Sequence, residues 1–85
     1  MSKYSPLSRY LSNLPLDLQE TTLNFEKIEM IIDDRLPASA SRLPQWWENE
    51  EDGNHVQAHS WMNAGWIVGK VDQNAKWVRF IRISR

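Results

Sequence analysis

The chain has 85 residues, 41% hydrophobic and 25% charged, with a formal net charge of −1. That balance excludes an intrinsically disordered chain and suits one small globular domain. It has no cysteine, so a disulfide framework and a thiolate metal site are both ruled out. No apolar run approaches the ~20 residues of a membrane-spanning helix, and the opening Met1-Ser2-Lys3-Tyr4-Ser5-Pro6 lacks a signal peptide's apolar stretch. A cytoplasmic address and no membrane partner are expected.

In chain order, Ser5 reads as an N-cap and Pro6 as the first helical residue, where a missing N–H costs nothing. Leu7, Tyr10, Leu11 and Leu14 then form one apolar stripe, and Pro15 places the helix end at Leu14. Gln19 to Leu23 contains Thr21-Thr22-Leu23 and predicts a short strand. Asn24 predicts the cap of a second helix burying Phe25, Ile28, Ile31 and Ile32, with Glu26 favoured in its first turn by the helix dipole. Leu36-Pro37 ends that helix and opens a short helical segment; Pro44 starts a further turn carrying Trp46 and Trp47.

Glu50-Glu51-Asp52-Gly53-Asn54 reads as a loop. A helix is expected from His55 to Ala64, with Val56, Ala58, Trp61 and Met62 inward and His55, Gln57, His59, Ser60 and Asn63 outward. Gly65 fits a helix C-cap with apolar Trp66 beyond it. Strands are predicted from Trp66 to Val71 and from Lys76 to Ile83, joined by a turn at Asp72-Gln73-Asn74-Ala75. The expected fold is α+β: three or four helices with a C-terminal antiparallel hairpin. If the early strand joins that hairpin, the order is that of a winged helix, which by itself settles no function.

The near-neutral total hides an asymmetry. Residues 17–34 carry six acids against Lys27, a local −5, and residues 45–54 add Glu48, Glu50, Glu51 and Asp52. From Trp66 onward, Lys70, Lys76, Arg79, Arg82 and Arg85 stand against Asp72, a local +4. A bipolar domain can offer a basic face to nucleic acid, although such charges also serve simply to solvate two faces.

Four of the five Trp fall within 21 positions, in the motifs Leu36-Pro37-x-Ser39-Ala40, Trp46-Trp47-x-Asn49, Gln57-Ala58-x-x-Trp61 and Ala64-Gly65-Trp66-x-Val68. With Val78-x-Phe80-x-Arg82, this ordered set resembles a small bacterial and phage domain family of unknown function. Leu23-Asn24-Phe25-Glu26-x-Ile28-Glu29 resembles that family's approach to its second helix. Pro44 and Asp34-Arg35 depart from the pattern. The resemblance implies a fold and supplies no activity.

Candidate chemistry is sparse. His55 and His59 have the i, i+4 spacing of a metal-binding pair, but the glutamate that a zinc hydrolase places after its first histidine is missing, and no metal or other cofactor is expected. No nucleophile elbow, phosphate loop or differentiated acid pair is present, so an enzyme is not expected. The polar residues among the aromatics suggest binding instead: Asn and Gln can read adenine, Arg can hold guanine or phosphate, and Trp can stack an unpaired base. The competing reading has Asn49 and Gln57 satisfying buried polar groups of a Trp-built core. Trp46 and Trp47 cannot both face inward on one turn, which leaves one as a candidate contact residue.

The expected function is therefore a non-catalytic binding module for nucleic acid. Lys70, Lys76, Arg79 and Arg82 would hold phosphate, and Arg42, Trp47, Asn49, Gln57 and Asn63 would contact bases or a partner. The alternative is a protein-interaction or inhibitor module acting through the acidic face and an exposed Trp. A homodimer is compatible with either.

Overall fold

The computed structural model describes residues 2–50 and 55–83. In chain order the elements are α1 (Ser5–Ser12), β1 (Glu20–Asn24), α2 (Phe25–Ile32), α3 (Ser39–Arg42), a 3₁₀ turn (Pro44–Trp47), α4 (Val56–Met62), β2 (Trp66–Asp72) and β3 (Trp77–Arg82). The fold is α+β, and the described residues form four helices on an open three-stranded antiparallel sheet of order β1-β3-β2. The strand between the first two helices does join the hairpin, as in a winged helix. Among the described residues no helix is long and apolar enough to cross a membrane.

Local chemistry explains most boundaries. The Asn24 side chain accepts from the Lys27 backbone N–H at 2.7 Å, the expected N-cap of α2. That helix stops at Asp33, whose left-handed φ of 54° turns the chain. Gly65 takes φ 91° after α4 and its N–H bonds the Met62 carbonyl at 3.0 Å, so the chain can reverse into β2 without a Cβ clash. The α1 boundaries differ from the reading above. Tyr4 is the N-cap and Ser5 already helical, and the helix ends at Ser12, two residues short of Leu14.

One core unites the layers: Leu7 and Leu11 of α1, Ile28 and Ile32 of α2, Trp61 of α4, and Leu23, Trp66, Val78 and Phe80 from the sheet. On β3, Val78 and Phe80 point into it, so Trp77, Arg79 and Ile81 alternate to the far side of the sheet.

The helix before the hairpin is rotated from its expected phase. Val56, expected inward, is 51% exposed, whereas Gln57 and Ser60, expected outward, are each only 7% exposed. Ala58 and Trp61 are buried as expected. One bond to another element accompanies the rotation: the Gln57 Nε2 amide donates to the Trp46 carbonyl at 3.2 Å, while the buried Ser60 hydroxyl is satisfied inside the helix by the Gln57 carbonyl. A main-chain carbonyl at the end of a packed turn needs a donor, and this outweighs burying one valine. The expected loop at residues 50–54 lies, from Glu51 on, outside the described residues.

Candidate functional site

Most of the Trp-rich segment builds the interior. Trp47 is 2% exposed and stacks between Phe25 and Trp61, with ring centroids at 5.2 and 5.7 Å. Trp61 continues to Phe80 at 5.7 Å, and Trp46 meets Trp47 edge-on at 4.6 Å. Each buried indole N–H has an acceptor: the Ala40 carbonyl for Trp47 at 2.8 Å, Asn49 Oδ1 for Trp61 at 2.9 Å, and the Leu11 carbonyl for Trp66 at 3.1 Å. Of the adjacent pair, Trp46 is the partly exposed member, so Trp47 offers no contact surface.

The nine candidate binding residues separate accordingly. Asn49 donates to the Val68 carbonyl and accepts from the Val68 N–H and the Trp61 indole. Gln57 is tied to Trp46. The Arg82 guanidinium lies 4.3 Å over the Trp66 ring and donates to the carbonyls of Leu18 at 2.7 Å and Pro15 at 2.8 Å, fastening the α1–β1 connection. These three polar side chains and Trp47 are committed to the fold. Arg42 at the end of α3 and Asn63 at the end of α4 are exposed, and so are Lys70 and Lys76. They do not converge. Lys76 lines a groove beside α2, while Lys70 belongs with Arg79 on the outer face of the sheet.

On that outer face, register places Thr22 opposite Arg79 and Lys70 opposite Arg79, so the two cations are direct cross-strand neighbours. Both approach one ring. The Lys70 ammonium is 6.0 Å and the Arg79 guanidinium carbon 5.3 Å from the Trp77 centroid. Arg79 Nε also donates to the Thr22 hydroxyl at 3.3 Å, which steadies it on the sheet. Ile67 and Ile81 extend the same face. Trp77 is the residue that motif reasoning passed over. Its signal was the alternation Trp77-x-Arg79, which on a strand puts both side chains on one face.

The histidines do not form a metal centre within the described residues, where no group of three His, Asp or Glu side chains is suitably placed. His55 precedes α4, its Nδ1 3.2 Å from Glu50 Oε2. Burial, with Asp34 nearby, pushes the Tyr4 phenol above its usual value. The Arg35 backbone N–H, helped by Lys3, holds the Asp34 carboxyl below its usual range.

No curated protein and no solved structure matches this chain. A family model does: it covers residues 4–83, nearly the whole chain, and the protein therefore belongs to the family described as a domain of unknown function, DUF7662.

Proposed function

We propose that this domain is a non-catalytic module that binds single-stranded nucleic acid on the outer face of its sheet. The observation that carries the reading is the cross-strand pair Lys70 and Arg79, whose charged groups both lie within about 6 Å of the Trp77 ring. Like charges directly opposite on a sheet repel one another, and an anion lying between them removes that cost. A partly exposed indole beside them offers a stacking surface that any base can use. A sheet face with an aromatic ring beside two cations suits splayed, unpaired bases better than a duplex, whose stacked bases cannot reach it. Glu20 and Asp72, which register puts on the same face, confine a phosphate to the Lys70–Arg79 pair.

The alternative surface for a nucleic acid is α4, the helix that a winged-helix duplex reader would insert. Its exposed positions Val56 and Asn63, and partly exposed His59, include no Lys or Arg to hold a phosphate. The reading therefore rests on the sheet.

The test is fluorescence anisotropy with labelled oligo-dT, oligo-U and a mixed duplex at low and physiological salt. Single strands should bind better than duplex, with a log–log salt slope of about −1.4 for two phosphate contacts. Trp77→Ala and the double variant Lys70→Glu, Arg79→Glu should each remove most of the binding. Absence of binding at low salt, or binding indifferent to these substitutions, would overturn the reading.

A further inference from the structure

A groove of about 500 Å³ runs beside α2 and is bordered on its other side by residues 35–38 and the β2–β3 turn. Phe25, Leu36 and Pro37 give it an apolar lining. Its walls are stitched together by two hydrogen bonds: Phe25 N–H donates to the Lys76 carbonyl at 2.9 Å, and Leu36 N–H donates to the Glu29 side chain at Oε2, 2.8 Å away. The charges follow an order. Lys76 stands beside the start of α2 and Arg35 lies beyond its end, with Glu26 and Glu29 one turn apart on the helix between them. Among the described residues none of these four groups forms an ion pair, for the pairs present are Lys3–Asp34 and His55–Glu50.

Lys76 is also placed at a backbone cost. Its φ is 62°, in the left-handed region where glycine or asparagine is at ease and a long side chain is not. Its N–H bonds the Asp72 carbonyl at 2.7 Å and its carbonyl is held by Phe25, so the turn is locked in that shape. The turn thus carries, at its least favourable position for one, a cationic side chain at the mouth of a groove.

We propose that the groove is a peptide-binding site, for an extended segment whose alternate side chains read acidic, basic, acidic. In an extended strand those three side chains project to one side and span about 13 Å. That is commensurate with the ~10 Å length of α2, along which the lining acids stand. The central base meets Glu26 and the second carboxylate oxygen of Glu29, whose Oε2 already holds the Leu36 N–H, and the flanking carboxylates meet Lys76 and Arg35. This site is argued independently of the nucleic-acid reading, since its lining includes none of Lys70, Trp77 and Arg79.

The probe is a fluorescein-labelled Glu-Ala-Lys-Ala-Glu amide, compared by anisotropy with its charge-reversed counterpart Lys-Ala-Glu-Ala-Lys. The first should bind the full chain in preference to the second. Lys76→Gly should weaken it roughly three- to fivefold while the melting midpoint stays level or rises, which separates lost contact from lost folding. Glu26→Lys should weaken it similarly and leave oligo-dT binding unchanged. Equal affinity for the two peptides, no binding of either, or unchanged binding by Lys76→Gly would each overturn the proposal.

Discussion

Asn49 and Val68 are joined as neighbouring strands would be. The Asn49 amide nitrogen donates to the Val68 carbonyl at 3.0 Å, and Asn49 Oδ1 accepts from the Val68 N–H at 2.8 Å. The same oxygen accepts from the indole of Trp61, which is fully buried. One side chain therefore occupies part of the free edge of β2 and satisfies a core donor. Asn49→Ala should cost about 2–3 kcal/mol, because the indole N–H is left unpaired in the interior. Urea denaturation measures it. The variant should also aggregate more readily, since an exposed strand edge invites pairing.

Arg82 and Arg79 lie on the same strand but serve different ends. Arg82 stacks on Trp66 and holds two carbonyls of the α1–β1 connection. Arg82→Ala should lose about 2–3 kcal/mol, and Arg82→Lys should recover less than half, because a single ammonium cannot reproduce the planar fork. Arg79→Ala should stay within about 0.5 kcal/mol of the parent. Denaturant midpoints for the three variants decide the matter; equal losses would contradict the assignment.

This contrast shows what was legible before the structure was known. Element types and order followed from short-range chemistry: the Asn24 cap, the Gly65 reversal, the alternation of β3. The packing of Trp61 and Trp66 followed from their spacing around that glycine. The phase of α4 did not, because a hydrophobic pattern counts Val56 as inward and has no term for an unsatisfied Trp46 carbonyl that recruits Gln57. Arg82 likewise reads from sequence as a phosphate ligand, because composition counts its charge and not its partners. Its partners are main-chain carbonyls more than 60 positions away in sequence, and composition cannot show them. The cross-strand meeting of Lys70 with Arg79 depends on the register shift between Val68 and Lys70, a bulge at Gly69 whose only sign in the sequence is a lone glycine inside a strand pattern.

Lys76→Gly should stabilise the fold by about 1 kcal/mol, since glycine adopts φ 62° without the Cβ penalty. The gain is reduced by glycine's greater freedom in the unfolded chain. Thermal denaturation gives the sign directly, and a clear loss would show that the lysine side chain itself supports the turn.

Tyr4 supplies the pH dependence. Its phenol is buried and titrates above its ordinary value of 10.0, burial being the larger cause and Asp34 the smaller. An acid whose folded pKa is raised contributes stability that is intact below the unfolded value and is lost as pH rises through the folded one. Stability should therefore fall from about pH 10 upward. Tyr4→Phe should flatten that decline, as followed by the denaturation midpoint between pH 8 and pH 11, a range set around the usual tyrosine value. An identical alkaline decline in the variant would assign it to other groups.

The Lys70–Arg79 pair offers the sharpest opposition between stability and binding. Register sets the two cations directly across from one another on the outer face, and such a pair is unfavourable by about 0.2–1 kcal/mol. Lys70→Glu turns the repulsion into attraction, and the new carboxylate can pair with Arg79 without disturbing the buried side of the sheet. The denaturation midpoint should rise by an amount worth about 0.5 kcal/mol. The same substitution places a negative charge where a phosphate is proposed to lie, so oligo-dT binding should fall at every salt concentration. A variant that is both more stable and unable to bind would mean that the cation is kept for its ligand. A variant that is less stable would mean that Lys70 supports the strand through its contact with Trp77, and the sheet face would lose its strongest argument as a binding surface.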